Sequence, residues 1–216
     1  MTKIASRGAL TEVAYQYVRE GIVRGTIPTG TVVAEQAVAA AVGSSRTPVR
    51  HALSTLLQEG LLEVGARRQL IVRGFTPEHR AEIRLLREAL EGVSVARACE
   101  TITGDELDAL HLNLLRQRRA AAEGREDDFI DLDEEFHLAI AHGARLPLLE
   151  RFLRQLREFV RVSRLGMDRP AGQLAEVVAE HERILAAIEA RDESAARDAL
   201  VEHIDKGVYS TAELVP

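Results

Sequence analysis

Apolar residues recur at helical spacing from the start of the chain. Leu10, Val13, Ala14, Tyr17, Val18 and Ile22 fall together on a helix expected over residues 10–24, which Gly25, Pro28 and Gly30 bring to an end. A short Ala-rich helix is expected over 34–42, with Gly43-Ser44-Ser45 as its break. In a third, over 46–59, Val49, Ala52, Leu53, Leu56 and Leu57 stand at i, i+3, i+4, i+7 and i+8, which defines one buried stripe. Ser45 is a natural N-cap, and Pro48 lies in the first turn, where its missing N–H forfeits no helical hydrogen bond. After Gly60 the pattern changes to two β-prone runs, 61–64 and 70–72, around Gly65-Ala66-Arg67-Arg68-Gln69, which reads as a hairpin with a basic tip. Three helices followed by a hairpin is the plan of a winged helix-turn-helix.

Gly74-Phe75-Thr76-Pro77 then makes a hinge, and Thr76 with Pro77 and Glu78 looks like a capped helix start. From there to Glu213, helical stretches alternate with breaks at Thr103-Gly104, Glu123-Gly124, Gly143 to Pro147, Pro170-Gly172 and Asp192-Glu193. About six helices and no convincing strand are expected, hence an all-α bundle. The expected fold class is mainly α, with a winged helix-turn-helix over 1–75 and a helical bundle over 76–216.

Composition narrows this picture. With 216 residues, 46% of them hydrophobic and 29% charged, the chain is neither disordered nor of low complexity. Cys99, the single cysteine, allows no internal disulfide and no Cys-based zinc site. No run approaches the ~20 apolar residues of a membrane span, and the first residues lack the apolar core of a secretory leader, so a cytoplasmic protein with no membrane role is expected. The net charge of -6 conceals a split. Residues 1–75 carry 9 Lys and Arg against 5 Asp and Glu, a net of +4, whereas residues 76–216 carry 19 against 29, a net of -10. A basic head on an acidic body is expected where only the head meets a polyanion.

The third helix supplies the chemistry for that encounter. Arg46, Thr47, Arg50, His51 and Ser54 lie away from its apolar stripe, with Arg46 and Arg50 one turn apart at its N-terminal end. Guanidinium forks there suit guanine edges in a major groove. Ser44, Ser45 and Thr47 suit phosphate oxygens, and Arg67 and Arg68 at the hairpin tip suit the backbone or minor groove. An amphipathic helix also exposes arginines without any nucleic acid to read, so charge and spacing leave both readings open.

Ser45-Arg46-Thr47-Pro48-Val49-Arg50, followed by Ala52-Leu53, Leu56 and Glu59-Gly60-Leu61, resembles the signature of GntR-type transcriptional regulators, as does the upstream turn Gly25-Thr26-Ile27-Pro28-Thr29-Gly30. The resemblance covers residues 10–74 and implies binding to double-stranded operator DNA; because one recognition helix reads too few base pairs for genomic selectivity, a homodimer is expected. His51 stands where that family usually has Glu, and Gln69 replaces its common wing glycine.

The acidic body carries a second candidate chemistry. Asp133 and His137 stand at i, i+4 on a helix expected over 127–141, flanked by Phe129, Phe136 and Ile140. His181 is bracketed by Val177, Val178, Ile184 and Leu185, and His203 stands beside Ala199, Leu200 and Ile204. Three imidazoles and a carboxylate on inward faces of separate helices can meet around one divalent ion, or serve as ordinary hydrogen-bonded core residues. His79, His111 and His142 lack such bracketing and read as surface residues. Arg87 reads either as the partner of Glu91 one turn on or as an anchor for an anionic effector.

Arg87 with Leu90-Glu91, Asp133-x-x-Phe136-His137, His181 and His203 resemble the FCD domain of the FadR-like branch of the same family, over about residues 78–212. In many such domains the corresponding Asp and three His bind a metal. The usual Gly-Asn before Pro-Leu-Leu reads Arg145-Leu146 here. The ion can be zinc, nickel or manganese, all of which accept imidazole with carboxylate, and open positions on it suit a small organic acid. The expected function is a ligand-responsive regulator, of the repressor kind, holding a divalent metal and a small carboxylate. The alternatives are a direct metal sensor and a metalloenzyme with a DNA-binding appendage. No enzyme is expected: Glu134-x-x-His137 has no second copy, and there is no His-Glu-x-x-His, Gly-x-Ser-x-Gly or phosphate-cradling glycine loop.

Overall fold

The structure is a computed structural model that describes residues 7–166 and 172–208. The chain divides into two compact units, the first made of residues up to Thr76 together with Glu158–Leu165, the second of Pro77–Arg157 and the residues after Leu165.

In the head, α1 (Arg7–Val23), α2 (Glu35–Ala41) and α3 (Arg46–Glu59) precede β1 (Leu62–Val64) and β2 (Leu70–Val72). The strands pair antiparallel, Leu62 opposite Val72 and Val64 opposite Leu70. The stripe on α3 buries Val49, Ala52, Leu53 and Leu56, while Leu57 is half-buried. They pack with Ala14, Val18 and Ile22 of α1 and with Leu62 and Val72 of the hairpin. At the end of α3, Gly60 has a φ of 83°, the left-handed conformation that closes a helix and that a β-carbon disfavours.

The structure departs from the sequence pattern in three places. Val13 and Tyr17 on α1 are about half exposed, at 50% and 47%, so the buried face is the narrower row Ala14, Val18 and Ile22. Ser45 occupies the N-cap of α3, but its side chain makes no capping hydrogen bond. A third extended segment, which short-range pattern does not announce, lies against β2: Val32 bridges Ile71, and Val33 N–H donates to the Leu70 carbonyl at 2.9 Å. The segment is too short for alternation to show, and its pairing comes from a partner far along the chain.

Beyond Thr76 run α4 (Pro77–Thr101), α5 (Gly104–Ala122), α6 (Glu126–Gly143), α7 (Pro147–Ser163), α8 (Gln173–Glu189) and α9 (Glu193–Val208). The break expected at Pro170-Gly172 and the end of the last stretch lie partly outside the described residues. Helix α4 packs on α6, α8 and α9, and α5 lies against α6 and α8. Their common core gathers Val95 and Ala98 of α4, Ile102 just beyond its end, Phe136 and Ile140 of α6, Ile184 and Ile188 of α8, and Leu200 and Ile204 of α9. Thr103 starts α5 with a reciprocal capping box to Glu106. Arg145 adopts a φ of 58° at the turn before α7, where the resembled pattern has Gly, and its guanidinium pairs with Glu106 at 2.8 Å.

Candidate functional site

Three helices of the body deliver four polar side chains into its core. Asp133 and His137 come from α6, one turn apart, His181 from α8 and His203 from α9, and all four are buried. One ligand atom from each lies within 4.8 Å of the others. Their neighbours along each helix are core residues, so the packing that buries Phe136, Ile184 and Ile204 also turns these side chains inward. The Phe136 ring stacks on His181 with centroids 4.4 Å apart.

The second nitrogen of each imidazole is held from outside the cluster. His137 Nδ1 lies 2.7 Å from Glu91 Oε2, His181 Nδ1 2.8 Å from Gln117 Oε1, and His203 Nδ1 3.0 Å from Glu180 Oε2. Gln117 presents its oxygen because its amide nitrogen donates to Asn113 Oδ1 at 2.7 Å and to the Leu132 carbonyl at 3.3 Å. With each Nδ1–H donated to an oxygen, each Nε2 carries the lone pair, and all three Nε2 atoms are buried without a hydrogen-bond partner among the described residues. A buried acceptor left unpaired is costly, and three facing one carboxylate form a donor set suited to a divalent transition metal. Burial also disfavours the imidazolium forms. It pushes His181 down to about 3, depresses His137 with the help of Arg157, and holds His203 well below its ordinary value with the help of His181. The rings are therefore in the neutral, ligating state at pH 7.

Two arginines complete the surroundings. Arg87 is wholly buried; its Nε lies 2.7 Å from Glu91 Oε1, while Nη1 has no hydrogen-bond partner among the described residues. Arg157 of α7 pairs with Asp133 Oδ2 and stands 3.6 Å from Glu91 Oε1, leaving Nε and Nη1 without hydrogen bonds among the described residues. Burial alone would raise the Glu91 carboxyl, but Arg87 and then His137 outweigh it and hold the group well below the usual carboxylate range. Sequence reasoning missed Gln117, Glu180 and Arg157, and took Glu91 only as a partner for Arg87. Each interrupts an apolar helical row, as Gln117 does after Leu110 and Leu114 and Arg157 does after Leu153. A polar residue at a core-facing position was the available signal.

His111 and His142 are exposed and pair with Glu189 and Glu150, and His79 is exposed, so none of the three joins the cluster.

In the head, Arg46, Thr47, Arg50, His51, Arg67 and Arg68 are exposed, as is Ser45, whereas Ser44 is half-buried. Arg68 has a φ of 59°, and the wing turn closes through Arg68 N–H to the Gly65 carbonyl at 2.9 Å. Gln69 is half-buried over Gly65, its Nε2 2.9 Å from where a β-carbon on that glycine would stand. Glu35, at the start of α2, accepts from Arg50 Nε at 2.8 Å and Nη2 at 3.0 Å, and from Arg46 Nη2 at 3.3 Å.

Comparison with known proteins bears on both regions. Residues 10–72 match the gntR family of bacterial regulatory proteins and residues 82–206 the FCD domain. The chain is 29% identical over 195 residues to the HTH-type transcriptional repressor RspR of Escherichia coli, covering 89% of this chain and 84% of that one. It is 30% identical over 186 residues to the Nta operon transcriptional regulator of Aminobacter aminovorans, with 86% and 87% covered. Among solved structures, E. coli McbR/YncC superposes with a TM-score of 0.81 at 26% identity, over 92% of this chain and 95% of that one. These relatives are transcriptional regulators and not enzymes, which removes the metalloenzyme alternative. A gntR head followed by an FCD body, matched along nearly its whole length by regulators built the same way, makes this chain a GntR-family DNA-binding transcriptional regulator with an FCD domain.

Proposed function

We propose that this regulator is ligand-responsive, that its body holds one divalent metal through Asp133, His137, His181 and His203, and that a small organic acid binding beside the metal changes its affinity for operator DNA. The observation that carries the reading is the set of three buried, unpartnered Nε2 atoms facing the Asp133 carboxylate, each ring fixed by a separate oxygen on its other nitrogen. When bound, the metal supplies a Lewis-acidic centre with positions for an organic oxygen ligand. Glu91, Gln117 and Glu180 hold the imidazoles in the ligating tautomer. The charges of Arg87 and Arg157 already balance those of Glu91 and Asp133. A divalent ion therefore leaves an excess of positive charge for an anionic ligand to offset, and the spare donors of Arg87 and Arg157 provide its hydrogen bonds.

The reading assigns DNA contacts to the N-terminal end of α3 and the wing: Arg46 and Arg50 to base edges, Ser44, Ser45, Thr47 and His51 to the flanking backbone, and Arg67 and Arg68 to backbone or minor groove. One such helix reads too few base pairs for genomic selectivity, so a homodimer on a pseudo-palindromic operator is required. Residues 1–75 then act as the DNA-binding domain and residues 76–216 as the effector-binding and dimerisation domain, in the cytoplasm. Repression is the mode stated for RspR.

The test combines metal analysis of protein purified without chelators with operator binding across a panel of organic acids. One equivalent of zinc, nickel or manganese per chain, and an acid that changes operator affinity in wild type but not in His181→Ala, is the expected result. A response to the metal alone, unaltered by any acid, favours direct metal sensing. Protein without metal, whose melting temperature does not move when metals are added, returns the four residues to ordinary core roles.

A further inference from the structure

The two arginines of the α3 N-terminus do not stand as independent cations. A single carboxylate, Glu35, takes three N–H donors from them, two from Arg50 and one from Arg46. The arginine side chains are two-thirds exposed, at 67% and 68%, and Glu35 is about one-quarter exposed, so the arrangement stands at the surface with its cationic side outward. The bond from Arg50 holds the Glu35 carboxyl below its ordinary range.

The geometry of the Arg50 pair matters. Glu35 occupies the lateral edge of that guanidinium, formed by Nε and Nη2, and leaves the terminal edge, formed by Nη1 and the second hydrogen of Nη2, directed away from the carboxylate. A guanine edge offers two neutral acceptors, O6 and N7, that a terminal fork satisfies. A DNA phosphate is an anion that draws a guanidinium by charge and competes directly with a carboxylate already in place.

We propose that Glu35 is a specificity-determining positioning residue, which presents the terminal fork of Arg50, with Arg46 beside it, to base edges and withholds both arginines from non-specific phosphate pairing. Its carboxylate reduces the charge of this trio from +2 to +1, and it repels the phosphates that any sequence offers equally. A base edge carries no net charge and does not meet that repulsion. Glu35 thus lowers non-specific, phosphate-driven binding while supporting the contacts that report sequence. The proposal rests on α3 as the reading helix and is independent of any metal or effector in the body.

The test uses the full-length chain and two duplexes of equal length: one selected by the wild-type protein from a randomised library, and one of the same composition in scrambled order. Glu35→Gln keeps the shape and one acceptor but removes the charge. The expected result is scrambled-duplex binding tighter by about 3–10-fold, with a salt slope steeper by about 0.9, the value of one additional released counterion. The selected duplex gains nothing, because the added charge is offset by the lost positioning of Arg50, so the ratio of the two affinities falls by the same factor of about 3–10. A second selection with Glu35→Gln should return a looser base preference. An unchanged ratio and slope overturn the proposal, as does a ratio lowered only by weaker binding to the selected duplex in a protein of lower melting temperature, since that is the result of a merely structural tie between α2 and α3. Arg50→Ala separates the layers: if it still discriminates the duplexes, α3 is not the reading helix and the proposal falls with it, whereas loss of discrimination there beside an intact ratio in Glu35→Gln overturns the role of Glu35 alone.

Discussion

His181 has one polar tie on its Nδ1 side, to an amide that is itself tied down on both sides. Gln117 cannot rotate to offer its NH2 group without losing its bonds to Asn113 and Leu132, so the 2.8 Å contact fixes which imidazole nitrogen keeps its lone pair. Gln117→Leu removes that acceptor while filling similar space. The expected outcome is a loss of metal affinity of about 10–100-fold, the usual scale for an outer partner of a ligating histidine, read by competition with a chromophoric chelator. Unchanged affinity would mean that stacking on Phe136 orients the ring by itself. The inward placement of Asp133, His137, His181 and His203 was legible in the sequence because each sits within a helical apolar pattern. Gln117, Glu180 and Arg157 were not, because a polar residue in an apolar row announces burial without naming its partner, and the partners lie on other helices. Glu35 was hidden for the same reason: nothing local links it to arginines on the next helix.

At the scale of elements, α1 and α3 are joined by more than their apolar faces. Tyr15 Oη donates to Glu59 Oε2 at 2.9 Å, and burial, reinforced by that bond, raises the phenol well above its ordinary value near 10. The folded protein thus keeps a proton that the unfolded chain releases as pH climbs past about 10, and the stability this tie contributes is present below that pH and lost as pH rises through the folded value. Tyr15→Phe should cost about 0.5–1.5 kcal/mol near neutrality and flatten the alkaline decline, so that urea midpoints of the two proteins converge above about pH 10. Parallel curves would show that Tyr15 titrates alike in both states. Helices and hairpin were legible because period and punctuation are local: α3 spans Arg46–Glu59, as its stripe and Gly60 require. Which flank of α1 is buried was not, since six apolar residues mark a broad sector and the contact with α3 selects only part of it.

The division of charge between a basic head and an acidic body is a property of the whole chain that counting alone reveals, but the exact membership of the head is not. Val162 is buried in the head core, Phe159 lies against Phe75 at 5.7 Å between centroids, and Arg19 Nε pairs with Glu158 at 3.0 Å, so residues 158–165 belong with residues some 85 positions or more earlier. Sequence gave no sign of this, because the apolar rhythm of α7 through Leu153, Leu156 and Val160 continues unchanged across the boundary. A fragment of residues 1–75 should accordingly show weaker hydrogen-exchange protection at Leu53 and Leu56 than the full chain, having lost a buried Val worth about 1.5–3 kcal/mol. Equal protection would mean that the head core is complete without α7.

Regulation is the one property that no residue or element possesses alone. An acid bound beside Asp133 and Arg157 can alter DNA binding only if it favours one state of the protein over another, and the energy of that preference acts in both directions. If the acid weakens operator binding by some factor, saturating operator duplex must weaken acid binding by the same factor. For a coupling of about 1–3 kcal/mol, that factor lies between about 5 and 150. The measurement is a titration of the acid by calorimetry, with and without the selected duplex, on metal-loaded protein. Equal factors within error establish that one equilibrium joins body and head. An acid whose affinity ignores the duplex, while operator binding still responds to the acid, would place its action somewhere other than this site. Chelation should abolish both factors together, since Arg87 and Arg157 already balance Glu91 and Asp133 and the proposed ion would supply the positive charge that an anionic ligand offsets.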